Sequence, residues 1–296
     1  MRVVFMGSPE YAVKILDSLN RNFEVVAVYT QPDKPVGRKK ILTPTPVKKY
    51  AIENNLKVLT PISLKDEDVS RFKPDFIVVA AYGLLLPKSV LDVAPCINLH
   101  ASILPKYRGA SPIQSAILNG DKFTGVTSML MDEGLDTGDI LVWDYTEVGK
   151  KTSIDLFDEL GDIASNQIIY TLQNFSNIKP LPQIDAIASY AKKIKKEDGF
   201  VDFSDALVMD RKYRAFKPWP GIFCEKFKIN EMEFLSENGE YKRGEILKID
   251  KSGVEVGCER GRVKLIKVQV PGKKEVSAFD FVNGKRLRVG ESILEV

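Results

Sequence analysis

Residues 3–30 constrain the fold more than any other part of the chain. Val3 to Met6 is a short uncharged apolar run, Gly7-Ser8-Pro9 is a turn, and Glu10 to Leu19 sets Ala12, Leu16 and Leu19 on one helical face. Phe23 to Thr30 then reads as a second strand. Strand, helix and strand in this order predict a βαβ unit, the opening of a mostly parallel, Rossmann-like α/β sheet. The first turn holds one glycine, whereas a dinucleotide site needs Gly-x-Gly-x-x-Gly to bring the backbone against a pyrophosphate. It is therefore read as a connection and not as an NAD site.

The pattern continues downstream. Val47 to Asn54 reads as a helix, Lys57 to Leu59 as a short strand, and Asp75 to Ala81, almost all aliphatic, as a central strand. A helix over Pro112 to Asn119, stopped by Gly120, precedes strands at Val126 to Met131 and Ile140 to Tyr145. Ser153 to Leu172 carries Ile154, Phe157, Leu160, Ala164, Ile168 and Leu172 three or four apart, a long helix suited to cap the sheet.

At 296 residues the chain exceeds what one ordinary core needs, so two domains are expected. The helical pattern ends after Asn174, which places a first domain at 1–178, a linker at 179–203 and a second domain at 204–296. The second domain reads as a helix from Ser204 to Phe216 and short strands at Ile222 to Ile229, Gly244 to Ile249, Gly253 to Cys258, Gly261 to Val268 and Arg286 to Val289. That spacing suggests a small barrel. The apolar run at Val3 to Met6 is too short for a secretory leader, and the three cysteines, Cys96, Cys224 and Cys258, have no metal-like spacing. A reduced cytoplasmic protein, monomeric by default and with no membrane partner, is the expectation.

His100 is the only histidine, so any neutral-pH proton transfer by imidazole must pass through it. A lone histidine can equally be a core or surface residue without chemistry. Its surroundings favour chemistry: Asn98 and His100, two apart at the end of an apolar run, share one face if they lie on a strand, and Ser102 to Pro105 begins an irregular loop. Open α/β sheets place their ligands at such carboxyl ends of strands. The second polar patch, Asp132 to Gly138, has two glycines that allow a tight loop. Its acids Asp132, Glu133, Asp136 and Asp139 lack the alternating rhythm of a calcium loop, and no metal is expected.

Asn98-x-His100-x-Ser102-Ile-Leu-Pro-x-x-Arg108-Gly, followed by Gly134-Leu-Asp-Thr-Gly138, resembles the formyltransferases that use 10-formyltetrahydrofolate; Ile103 stands where leucine is more usual. The resemblance implies that Asn98, His100 and Asp136 hold the catalytic positions. It also implies that Ser102, Ile103, Leu104 and Pro105, with Gly83, Leu84 and Leu85 after the central strand, form the folate site, 10-formyltetrahydrofolate being the co-substrate. In that reading Asn98 donates to the oxyanion of the transferred formyl group, His100 donates and moves a proton, and Asp136 holds the imidazolium.

Gln31 to Val47 is too long and too rich in proline and base for a routine connector. Its cations Lys34, Arg38, Lys39 and Lys40, with Lys48 just beyond, describe either a solvated loop or a contact to a polyanion backbone. The segment resembles the loop of family members that act on initiator methionyl-tRNA, with Arg38 at the position that enters the acceptor stem and Lys39 where glycine is usual. Tyr190-Ala-Lys-Lys-Ile-Lys-Lys-Glu-Asp resembles the same members, with Phe203 in place of their tryptophan, and the resemblance makes the second domain OB-like.

Residues 191–296 contain 23 Lys+Arg against 18 Asp+Glu, a net of +5, while residues 1–190 carry −2. A basic second domain suits a phosphate backbone, with Lys273 and Lys274, and also Lys285 and Arg286, as candidate contacts or as a solvated rim. Formyl transfer to initiator methionyl-tRNA is thus the expected activity. Transfer to a small amine such as glycinamide ribonucleotide or an amino sugar nucleotide is the alternative that the core motif alone leaves open, and a folate- or RNA-binding module without turnover is the non-enzymatic one.

Overall fold

The structure, a computed structural model, describes residues 1–37 and 39–295. The chain divides into two compact units. The first comprises Met1–Ile113, Lys122–Glu147 and Asp155–Lys192, and the second Gln114–Asp121, Val148–Ile154 and Lys193–Val296. Among the described residues no helix is long and apolar enough to cross a membrane.

The first stretch of chain runs β1 (Arg2–Gly7), α1 (Glu10–Asn22), β2 (Glu24–Tyr29), β3 (Lys34–Val36), β4 (Ile41–Thr43), α2 (Pro46–Glu53), β5 (Val58–Leu59), β6 (Phe76–Ala80), α3 (Lys88–Leu91), β7 (Cys96–His100), β8 (Arg108–Gly109), α4 (Pro112–Asn119), β9 (Phe123–Leu130), β10 (Ile140–Glu147), α5 (Ser153–Asn174) and β11 (Tyr190–Ala191). Seven of these strands form one sheet in the order β10-β9-β7-β6-β1-β2-β5. The five from β7 to β5 are parallel; β9 is antiparallel to β7, and β10 to β9. Strands β6 and β7 are buried along their whole length, which is why they read as unbroken apolar runs.

Helix α1 buries Tyr11, Ala12, Ile15, Leu16 and Leu19, the face that the periodicity marks. Gly7 lets it sit there: a Cβ at this position would lie 2.8 Å from Ala12 Cβ and 2.9 Å from the Ala80 carbonyl oxygen. The single glycine of the first turn thus serves close helix–strand packing. Register sets Gly7 beside Ala80 and Val79 beside Asn98, so β1, β6 and β7 end together. The basic segment after β2 holds a two-stranded hairpin, β3 with β4, whose Val36, Ile41 and Leu42 are exposed. Lys48 is engaged by Asp33 at 2.7 Å, and Lys34 donates to Gln31 at 3.1 Å. Arg38 lies outside the described residues.

The second unit adds α6 (Ala206–Ala215), β12 (Ile222–Phe223), β13 (Lys228–Ser236), β14 (Ile246–Asp250), β15 (Gly253–Gly257), β16 (Arg262–Gln269), β17 (Val276–Ser277) and α7 (Ala278–Gly284). Its antiparallel sheet runs β12-β13-β16-β15-β14, with β17 also on β16. Alternate residues such as Val254 and Val256, or Val263 and Leu265, fill its core. This is the OB-like domain; among the described residues its edge strands β12 and β14 do not pair with each other, so no ladder closes a barrel.

Two expected strands differ. The run Ile222 to Ile229 is broken at Cys224, whose N–H donates to the Phe227 carbonyl and turns the chain. Arg286 to Val289 is no strand: it follows α7, with Leu287 N–H donating back to Val282 O, and Arg286 takes a left-handed φ of 58°.

Candidate active site

Asn98 and His100 leave β7 on the same face and meet one carboxylate. Asn98 Nδ2 donates to Asp136 Oδ1 at 3.3 Å, and His100 Nδ1 lies 3.6 Å from Asp136 Oδ2. That oxygen also accepts from the Gly109 N–H at 2.8 Å. On the far side of the ring, His100 Nε2 is 2.8 Å from the Tyr107 carbonyl oxygen, which can only accept; Nε2 therefore carries a proton, and Nδ1 is the nitrogen that faces Asp136. Asn98 and His100 are only 9% and 6% exposed. Buried charges and dipoles interact more strongly there than in water.

Asp136 reaches this position from the loop between β9 and β10. Its φ is +54°, a conformation asparagine and aspartate tolerate better than most residues. Asp132 closes the loop by accepting from Gly134 N and from the Thr137 hydroxyl, so this carboxylate has a local structural task.

Three further residues that sequence reasoning did not single out, Thr127, Gln183 and Ser189, hold the arrangement together with Arg108 of the motif. Thr127, opposite His100 in the β7–β9 ladder, donates to Ser102 O at 2.7 Å and accepts from Leu104 N at 3.1 Å. Ser189 Oγ accepts from Tyr107 N at 2.9 Å. Arg108 is 2% exposed; its Nη2 donates to Asp185 at 2.8 Å and its Nε to Gln183 at 3.0 Å. Burial works against that charge, and hydrogen bonds with Asp185 and Tyr190 work for it, with a net upward shift of the guanidinium pKa. Arg108 stands in the motif itself, but Thr127, Gln183 and Ser189 carry no local signal.

The residues expected around the folate occupy the same sheet edge in different ways. Ser102 is fully buried and donates to Lys106 O at 2.6 Å, and Leu104 packs with Met129 and Ile140. Ile103 and Pro105 are half-buried. Gly83 (φ 81°) is exposed, Leu84 packs against the core and Leu85 is 82% exposed. Lys39 and Lys40 lie exposed in the β3–β4 turn, and Lys273 and Lys274 lie exposed between β16 and β17. Burial pushes the Cys96 thiol up to about 12, so the cysteine two residues from Asn98 stays protonated and unreactive.

Residues 1–171 match the family described as Formyl transferase, and residues 193–286 match Formyl transferase, C-terminal domain. A Methionyl-tRNA formyltransferase of a Nitratiruptor species is 53% identical over 300 residues, 99% of each chain. One of Campylobacter curvus is 52% identical over 302 residues, covering 99% of this chain and 100% of the other. Among solved structures, HypX from Aquifex aeolicus in complex with tetrahydrofolic acid is similar at a TM-score of 0.68 and 20% identity, over 99% of this chain and 48% of that one. The N-formyltransferase from Helicobacter canadensis in complex with folinic acid and dTDP-3-aminofucose is similar at 0.67 and 19% identity, over 89% of this chain and 98% of that one.

Proposed function

The chain belongs to the formyl transferase family, and we propose that Asn98, His100 and Asp136 are the groups with which it works. It transfers the formyl group of 10-formyltetrahydrofolate to the α-amino group of methionine on initiator methionyl-tRNA, giving N-formylmethionyl-tRNA. The observation that carries the site assignment is the sharing of one carboxylate, Asp136, by the Asn98 amide, the Gly109 N–H and the His100 ring.

In the reaction the neutral amine nitrogen attacks the formyl carbon, the C=O π pair moves onto oxygen, and a tetrahedral oxyanion forms. One N–H of Asn98 is spent on Asp136, and the other donates to the oxyanion. His100 has Nε2 tied to Tyr107 O, so the proton it gives or takes is carried on Nδ1. The proton leaving the amine passes through Nδ1 of His100 to the folate N10. The C–N10 bond then breaks, the oxyanion collapses to the new amide carbonyl, and protons balance. Asp136 stabilises the imidazolium during this passage and holds the ring's orientation.

Gly83, Leu84 and Leu85, with Ile103 and Pro105, supply the folate walls in this proposal, while Ser102 and Leu104 brace the loop from inside. Arg38, Lys39 and Lys40 in the first unit and Lys273 and Lys274 in the second are proposed tRNA contacts; the charge of all five and the exposure of the four lysines favour it. The division of labour is proposed along the sequence as catalysis in 1–178, a connecting stretch over 179–203 and tRNA binding in 204–296. The setting is the cytoplasm and the enzyme works as a monomer.

The test is the rate of formyl transfer to methionyl initiator tRNA by the wild type, His100→Ala and Arg38→Ala. Loss of turnover in the first, with a raised KM for tRNA in the second, supports the reading; normal turnover of His100→Ala sinks the catalytic assignment.

A further inference from the structure

The stretch between α5 and β11 is laced to the catalytic face. Leu181 exchanges two backbone hydrogen bonds with Ile140, each 2.8 Å, and β11 pairs with β8. Between these anchors sits Gln183, whose primary amide offers two N–H donors and one carbonyl acceptor. All three are used. Its Nε2 donates to Asp136 O at 2.9 Å and to Gly138 O at 2.8 Å, and its Oε1 accepts from Arg108 Nε at 3.0 Å. The residue after Arg108 is Gly109, whose N–H donates to the Asp136 carboxylate. A closed ring of contacts therefore runs from the backbone of Asp136 through Gln183 and Arg108 back to the side chain of Asp136.

We infer that Gln183 is a positioning residue for formyl transfer: its amide fixes the left-handed backbone of Asp136 and thereby the separation of the carboxylate from His100. The inference rests on the role proposed for Asp136. Three observations carry it. The two carbonyls that Gln183 ties belong to the turn that bears the carboxylate, one of them to Asp136 itself. Asp136 has a Cβ yet adopts φ +54°, so its conformation needs outside support. The distance to be controlled, 3.6 Å between Oδ2 and Nδ1, exceeds hydrogen-bond length, so a small displacement of the loop decides whether the pair engages. The same stretch also steadies the other side of the ring, since Ser189 accepts from the N–H of Tyr107, whose carbonyl holds Nε2.

The experiment compares Gln183→Glu, Gln183→Leu, Asp136→Asn and the Gln183→Glu/Asp136→Asn double variant in the full chain. Steady-state kinetics are measured against 10-formyltetrahydrofolate and methionyl initiator tRNA, with thermal melting as the control for folding. Gln183→Glu keeps the acceptor for Arg108 but presents no donor to the two carbonyls, so it isolates the contact in question. A misplacement of about 1 Å costs on the order of 100-fold; the expected fall in kcat is on the order of 10- to 100-fold for either Gln183 variant. KM for both substrates should stay within about two-fold, because uniform substrate binding is untouched. The double variant should lose no more than Asp136→Asn alone, since residues acting through one another are not additive. If Asp136→Asn is inactive but Gln183→Glu turns over normally, or if the two losses simply multiply, the positioning role is overturned and the catalytic reading stands. If Asp136→Asn itself turns over normally, the catalytic reading fails and this inference fails with it.

Discussion

The carbonyl oxygen of Tyr107 lies 2.8 Å from Nε2 of His100, and this fixes which nitrogen of the ring can serve the reaction. The neutral side chain is expected as the Nε2–H tautomer, with Nδ1 left facing Asp136. Nitrogen chemical shifts of the single histidine read this directly. An Nδ1–H tautomer in the free enzyme would contradict it. His100→Asn, whose amide can replace an Nδ1 donor, should retain more activity than His100→Gln, whose amide reaches toward Tyr107; both should lose on the order of 100-fold or more with proton transfer gone.

Asn98 is expected to act on the oxyanion and not on ground-state binding. Asn98→Ala should lower kcat on the order of 100- to 1,000-fold with little change in KM for either substrate, the size found when one oxyanion donor is removed. Steady-state kinetics decide the matter; a rise confined to the KM for folate would mean that Asn98 serves binding alone.

Thr127 is fully buried and splices the loop after β7 to β9. Thr127→Val leaves Leu104 N–H without its acceptor and Ser102 O without its donor, at a cost of about 1–3 kcal/mol per stranded group. Chemical denaturation should show this loss of stability. Kinetics should show a raised KM for 10-formyltetrahydrofolate, because the loop that it braces walls the proposed folate site. An unchanged denaturation midpoint would count against the assigned hydrogen bonds.

Burial holds several groups protonated well above their ordinary values, among them the thiols of Cys96 and Cys258, each raised from 9.0 to about 12, and the Tyr29 hydroxyl, raised from 10.0 to about 12; Tyr11, Tyr82 and Cys224 are shifted the same way. The unfolded chain releases these protons near their ordinary values while the folded chain keeps them. Their contribution is complete below about pH 9 and is lost as pH rises toward about 12, at about 1.4 kcal/mol per pH unit for each group that ionises only when unfolded. Urea titrations between pH 8 and 11 should show this decline, and Cys96→Ala should flatten it. An equal slope in wild type and variant would show that the thiol is not the source.

Much of the first unit was legible because its signals are local. The apolar runs at Val3 to Met6 and Phe76 to Ala80 are buried strands, since neighbours on both sides exclude polar residues. Asn98 and His100 converge because strand periodicity requires it. The alternation Arg286-Leu-Arg-Val imitates a strand, but the preceding α7 takes its backbone: Leu287 N–H caps Val282 O before any sheet partner can.

The sequence by itself determined the βαβ opening and the placing of Asn98 and His100 on one face, because each depends on spacing along a few residues, while Asp136 was expected as their partner only through the resemblance of its motif. Only the tertiary structure decided that Thr127 braces the loop after β7, that Ser189 holds Tyr107 and that Gln183 grips the backbone of Asp136. Those bonds join residues 23, 82 and 47 positions apart. A threonine, a serine and a glutamine are ordinary surface residues until folding buries the carbonyls and N–H groups that need them, and which polar groups are left needing a partner is a property of the packed chain.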